Sequence, residues 1–185
     1  MRYIIEHLDK KLYKWSEIEY KHASSIVGKK NIIFTNLNKT QSEKLKSFGE
    51  VTKQRAEKVC LGRVCVLDPL AEKILTPQEA KEFDYLVFGG LLGDFEIDAK
   101  TKKLITFKAE RRNLGKKEMP TDTAVLCVKM IADRIPFDKI KFQDGLDVDI
   151  TDEESISLDY RYIILNGKPS ISDDLVKYLK KRKHF

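Results

Sequence analysis

At 185 residues, with 42% apolar and 35% charged side chains, the chain is long enough to close a hydrophobic core and too apolar for disorder to be the default. Lys and Arg number 35 against 29 Asp and Glu, so the net charge is +6 and the pI near 9.0, a balance that favours an acidic partner such as RNA or a ribonucleoprotein. No apolar run approaches membrane-spanning length, and the opening MRYIIEHLDK has a glutamate inside its short apolar run, which argues against a secretory signal; a cytoplasmic protein with no membrane partner is expected.

In chain order, residues 2–7 read as a strand rich in β-branched and aromatic side chains. From 11 to 27, Leu12, Trp15, Ile18, His22 and Ile26 recur at helical spacing, with Gly28 placed as the stop. A second strand is predicted over 31–37, a short helix over 41–48, and a third strand over 64–67 that runs into Asp68-Pro69. Pro77 suits the first turn of a short helix, PQEAKEF, and 84–88 is apolar enough to be buried on both faces. That strand leads into VFGGLLGD, whose glycines imply backbone that bends sharply or lies close against chain or ligand. After Asp94 the sequence is polar and lysine-rich, ITFKA is briefly β-like, and RRNLGKKEMP reads as loop. Thr121 is expected to cap a helix over 122–135. The stretch 144–154 is strongly acidic; a strand over 158–165, a turn at NGKP and a helix behind Ser172 ending in KKRKH complete the chain. Strands alternating with helices predict an α/β fold, a mostly parallel sheet flanked by helices, in one domain over 1–185.

Cys60, Cys65 and Cys127 match no zinc-ligand spacing and His7, His22 and His184 are scattered, so reduced cysteines and no metal site are expected. Neither G-x-G-x-x-G nor the P-loop pattern is present, which leaves dinucleotide binding poorly supported. Ligands of α/β sheets nonetheless bind at the carboxyl ends of strands, and two strands here, VCVLDP and YLVFGGLLGD, end in unusual chemistry. Thr121-Asp122-Thr123 is good capping chemistry whatever the function, but capping does not account for the Arg-Arg and Leu-Gly before it.

Four separated blocks then carry a resemblance: Tyr3 to His7 (YIIEH), Gly62 to Pro69 (GRVCVLDP), Phe83 to Asp94, and Leu114-Gly115 with Met119 and Thr121 to Ala124. Together they resemble the SPOUT-class (α/β-knot) S-adenosylmethionine-dependent methyltransferases, in the family of the yeast arginine methyltransferase of ribosomal protein uS3, whose archaeal members are described as predicted RNA methyltransferases. The resemblance implies a C-terminal deep trefoil knot and S-adenosyl-L-methionine bent among three loops. Carried over, those loops supply Leu67, Asp68 and Pro69; Phe88, Gly89, Gly90, Leu92 and Gly93; and Leu114, Gly115, Met119, Thr121, Thr123 and Ala124. Asn113 stands where the yeast-like pattern has an arginine, Glu118 where relatives often have Gln, and Pro120 where they often have Thr.

The implied function is methylation of an arginine of a ribosomal protein, with the small ribosomal subunit as partner and a monomer or knot-mediated homodimer as the working unit. An rRNA or tRNA methyltransferase is the alternative, and a non-catalytic ribosome- or RNA-binding module is a third. A guanidinium stays protonated, with a pKa on the order of 12.5–13.8, so an arginine acceptor needs carboxylates to orient it and take its proton. Glu6, Asp94 and Asp122 are the candidates, and the fold is expected to bring them together, with Asp122 also a loop brace. His7 is expected to be a structural hydrogen bonder. The acidic 144–154 stretch is either a solvated loop or a contact for a basic substrate.

Overall fold

The structure is a computed structural model that describes residues 1–90, 107–151 and 153–181. The elements are β1 (Arg2–His7), α1 (Lys14–Val27), β2 (Ile32–Thr35), α2 (Lys39–Leu45), β3 (Glu50–Val51), α3 (Ala56–Val59), β4 (Val64–Leu67), α4 (Pro77–Ala80), β5 (Tyr85–Gly90), β6 (Glu110–Arg112), α5 (Thr121–Ala132), a 3-10 turn (Phe137–Lys139), β7 (Phe142–Asp149), β8 (Ser155–Leu165), β9 (Lys168–Pro169) and α6 (Asp173–Lys181). Six of the strands form one parallel sheet in the order β3-β2-β1-β5-β4-β6, and β7-β8-β9 form a separate antiparallel one.

The alternation of side chains along β1 divides the core. Tyr3 and Ile5 face α1 and α5, where they pack with Tyr20, Ala23, Val27, Val125 and Val128. Ile4 faces the other way, into a smaller cluster with Ile33, Val66, Val87 and Ala56 of α3, against which Phe107 and Ala109 also pack. A third cluster joins β7 and β8 to α6 through Val148, Leu158, Tyr162, Leu175 and Leu179, and takes Trp15 and Ile18 of α1 with it. Helix α1 is therefore held from two sides. The stripe read from the sequence, Trp15–Ile18–His22, faces the C-terminal elements, while Tyr20, Ala23 and Val27 cover the sheet.

Several boundaries differ from expectation for identifiable reasons. Helix α1 begins at Lys14 because Tyr13 is extended, and Leu12 packs on the core from the preceding loop. Helix α5 ends at Ala132 rather than 135, where Arg134 takes a left-handed φ of 75° without the help of a glycine. Thr121 is not the cap: Pro120 occupies that position with no side-chain cap bond. The loop expected at RRNLGKKEMP includes strand β6, whose Arg111 and Arg112 are held beside β4. The acidic 144–154 stretch is largely strand β7, paired with β8, and Asp144 accepts from Arg161 Nε at 2.6 Å.

Candidate functional site

Because β1, β5, β4 and β6 run parallel, their carboxyl ends emerge at one edge. All three expected loops begin there. Behind β4, Leu67 and Asp68 are buried and Pro69 is exposed. Asp68 is committed to its own turn: Oδ1 accepts from Leu70 N at 2.9 Å, and Oδ2 from Arg111 Nη1 at 2.8 Å. Its amide in turn donates to Arg112 O at 2.9 Å, which ties the loop to β6.

Behind β5, Phe88 stacks on Tyr3, and Gly89 and Gly90 close the strand opposite Glu6 and His7 of β1. Gly90 is required by the chain itself: a Cβ there would lie 2.0 Å from Tyr20 Oη and 3.0 Å from Ile5 Cγ2. The same hydroxyl sits 3.0 Å from His7 Nδ1. His7 is thus the hydrogen bonder expected of it, yet its Nε2 is buried and has no partner among the described residues. Burial holds its pKa below the usual imidazole range, against the opposing pull of Asp9 and a Lys11 backbone contact. Leu92, Gly93 and Asp94 lie outside the described residues.

The third loop runs from β6 into α5. Asn113 pins its start, accepting from Gly115 N at 2.9 Å and donating from Nδ2 to Ala71 O at 2.7 Å. Leu114 is buried, Gly115 has φ +84°, and Met119 is half-buried against the core. The first turn of α5 buries Thr121, Asp122 and Thr123, with Ala124 half-buried behind them. Its opening amide, Thr121 N, is satisfied from another helix, by Glu19 Oε2 at 3.2 Å; the other Glu19 oxygen accepts from Trp15 Nε1 at 2.6 Å. Asp122 accepts from its neighbour Thr123 N at 2.8 Å and lies 2.6 Å from His22 Nδ1. Burial first, and then the adjacent Asp122, push Glu19 up to about 8.

Glu6 and Asp122 are not brought together. The Glu6 carboxylate shares the sheet face of Ile4, where it accepts from Thr35 Oγ1 at 2.6 Å, Ala56 N at 2.6 Å and Arg55 Nε at 2.8 Å. Asp122 is bonded to α1 on the opposite face. Three donors meet Glu6, and through them it holds α3 and Arg55 against β1. Two carboxylates near the third loop were not singled out as site residues from sequence. Glu19 pairs locally only with Trp15, and the groups that tie it to the third loop, Thr121 and Asp122, lie about a hundred residues further on. Glu118 stood out only as a departure from a family pattern; its Oε1 is buried with no partner among the described residues, and burial raises its pKa. Thr123 Oγ1 is likewise buried and unpartnered. Among the described residues no cluster of His, Cys, Asp and Glu could hold a metal ion, and no helix is long and apolar enough to cross a membrane.

This geometry has known counterparts. Residues 2–184 match the family described as protein arginine N-methyltransferase SFM1-like. Protein arginine N-methyltransferase SFM1 of Saccharomyces cerevisiae is 36% identical over 203 residues, covering 98% of this chain and 95% of the yeast protein. The crystal structure of the yeast enzyme complexed with SAM aligns at a TM-score of 0.87 and 34% identity, over 97% of this chain and 90% of that one. A dual specific Trm10 of Thermococcus kodakaraensis shares the fold at a TM-score of 0.58 and 16% identity, over 75% of this chain and 96% of its own.

Proposed function

This chain belongs to the SFM1-like family of protein arginine N-methyltransferases, and on that premise we propose that it is an S-adenosylmethionine-dependent enzyme acting on an arginine of a small-subunit ribosomal protein. One observation carries the reading: nearly the whole fold corresponds to a yeast arginine methyltransferase crystallised with SAM, SAH and MTA.

The residues suit the cofactor. Leu67, Phe88, Leu114 and Met119 offer apolar walls, and His7 Nε2 and Thr123 Oγ1 are buried polar atoms with no partner among the described residues. Such atoms cost stability unless something meets them, and a polar ligand is what would. Asp68, Pro69, Gly89, Gly90, Gly115, Thr121 and Ala124 line the loops between, largely with backbone. S-adenosylmethionine supplies an electrophilic methyl group; the protein must orient the acceptor nitrogen and receive its proton.

We assign that proton to Glu118, which has a free oxygen beside the third loop and a pKa raised by burial. Asp122 braces the loop through His22 and α5, and Glu6 supports the edge of the sheet from the far face. Exposed Asp147, Asp149 and Asp159 on the β7–β8 ribbon offer carboxylates to a basic ribosomal protein. The reading brings with it a deep trefoil knot. It also brings a cytoplasmic setting, which suits three free cysteines.

The test uses S-adenosylmethionine labelled on its methyl group, with ribosomal subunits from cells lacking the enzyme. Label that survives nuclease and is lost to protease is expected; the reverse pattern would make the protein an RNA methyltransferase and remove the role given to Glu118. Within the same assay Glu118→Gln is expected to lower kcat by about 10²-fold with cofactor affinity kept, and Asp94→Asn tests the carboxylate chosen from sequence.

A further inference from the structure

The loops that follow β1 and β2 leave the same carboxyl edge of the sheet, and between them lies a cleft of about 220 Å³ that the chemistry above does not use. Lys10, Lys11 and Leu12 line it from the loop after β1, and Asn38, the cap of α2, with Thr40, Gln41 and Lys44 of that helix from the other side. The lining contains no carboxylate. All three lysines are exposed, and none is in an ion pair among the described residues, whereas Lys14 and Lys46 close by are paired with Glu17 and Glu43.

The remaining polar groups point to the same ligand chemistry. Asn38 Oδ1 and Gln41 Oε1 are both consumed by a reciprocal capping box, at 3.0 and 2.8 Å, which leaves the amide NH2 groups as donors. Leu12 anchors its loop on the core, and Asn36 Nδ2 donates to His7 O at 2.7 Å, so the two loops are fixed relative to one another. The result is a preformed, solvent-open cleft that presents three cations and several donors. An anion fits it, and an open site ringed by exposed lysines suits a group carried on a polymer better than a small ion enclosed on all sides.

We propose that this cleft binds phosphodiester groups of RNA and seats the enzyme on a ribonucleoprotein, next to the edge where Gly90 and Asp68 leave the sheet. The role in substrate choice rests on the ribosomal-protein reading above; the binding itself does not. A ribosomal protein already mounted on its RNA would then be recognised twice, by its own basic segment and by neighbouring phosphates. Lys39, exposed at the start of α2, extends the same surface.

The experiment titrates a fluorescein-labelled oligouridylate with the full chain over a range of salt concentrations. It compares wild type with the triple variant Lys10→Glu, Lys11→Glu, Lys44→Glu and with a charge-matched control, Lys29→Glu, Lys30→Glu, Lys168→Glu. Three phosphate contacts to single-stranded RNA predict that the cleft variant loses about 2 from the slope of log K against log[salt], with at least a ~10-fold loss of affinity. The control is expected to lose much less of either. Equal losses in both variants, no binding by wild type, or binding to phosphatidylserine vesicles in place of oligouridylate would overturn the proposal. A second arm measures methyl transfer to intact small subunits and to acid-extracted, RNA-free small-subunit proteins. The cleft variant is expected to be slower on the first and unchanged on the second; equal rates on both overturn the docking role. If wild type labels neither, the ribosomal-protein reading fails, and the oligouridylate titration still decides the cleft.

Discussion

Glu6 and Glu19 are 2% and 6% exposed, and each carboxylate accepts the amide that opens a helix, Ala56 of α3 for Glu6 and Thr121 of α5 for Glu19. They lie on opposite faces of the parallel sheet and keep opposite company. Glu6 has a guanidinium and a hydroxyl beside it; Glu19 has an indole N–H and, close by, the carboxylate of Asp122. The first is a carboxylate with three donors, and its removal strands them. The second is a group for which ionisation is unfavourable, so it holds its proton to higher pH. A buried glutamate at a helix start thus has two different meanings in one molecule, and the difference lies in the neighbours' charge.

The largest effect is expected where the donors are most dependent on the acid. Glu6→Ala leaves Ala56 N and Thr35 Oγ1 unmet and removes the Arg55 pair, and should cost about 2–4 kcal/mol in urea unfolding. If the loss is under half of that, water replaces the carboxylate and the contrast with Glu19 weakens. On the Glu19 side the tight point is Gly90 against Tyr20. Gly90→Ala is expected to cost ~1–3 kcal/mol by overpacking, and Tyr20→Phe in the same chain should return part of it by removing the clashing oxygen. A double-mutant cycle of denaturation midpoints measures that coupling.

Glu19→Gln reads out the proton directly. Folding raises the Glu19 pKa from 4.5 to about 8, so between those values the folded chain binds a proton that the unfolded chain has released. The contribution of this group to stability therefore falls as pH rises through that window and levels off above it. The Gln variant lacks the slope: it should gain ~1 kcal/mol or more on wild type between pH 5 and pH 8, seen as a divergence of Tm values. Parallel Tm profiles would mean that Glu19 is already ionised in the fold. The smallest effect is on the cysteines. Burial pushes the thiols of Cys60, Cys65 and Cys127 up to about 12, and all three should resist a thiol reagent at pH 8 until the chain is unfolded.

Local signals in the sequence carried the parts of the fold that are local. The strand over 64–67, the strand over 2–7 and Pro77 at the first turn of α4 were all read correctly, because apolar alternation and proline's fixed φ act within a few residues. Strand β6 was not legible. Glu110, Arg111 and Arg112 look solvated, and partners distant in sequence, Arg63, Asp68 and Glu79, make them tolerable in a sheet. Thr121 looked like a cap because Thr usually is one; a carboxylate 102 residues earlier had already taken the amide. The glycine loop was read as a place of close approach, and for Gly90 the approaching group is Tyr20, which no spacing in the sequence indicates. The family itself was legible in four blocks, while the separation of Glu6 from Asp122 by the sheet followed from topology alone.

The order of the parallel sheet has a consequence for how the chain is made. Strand β1 is made before the other strands of the sheet, yet it lies in the middle, between β2 and β5. Its second neighbour ends at Gly90, so until those residues emerge Ile4, Ile5 and Glu6 have one open flank. At synthesis rates of roughly 5–20 residues per second that exposure lasts on the order of 5–15 s, long enough for an apolar strand to pair wrongly or to meet a chaperone. This protein arginine methyltransferase would thus depend, for a central strand of its own sheet, on protection beside the ribosome while it is being made.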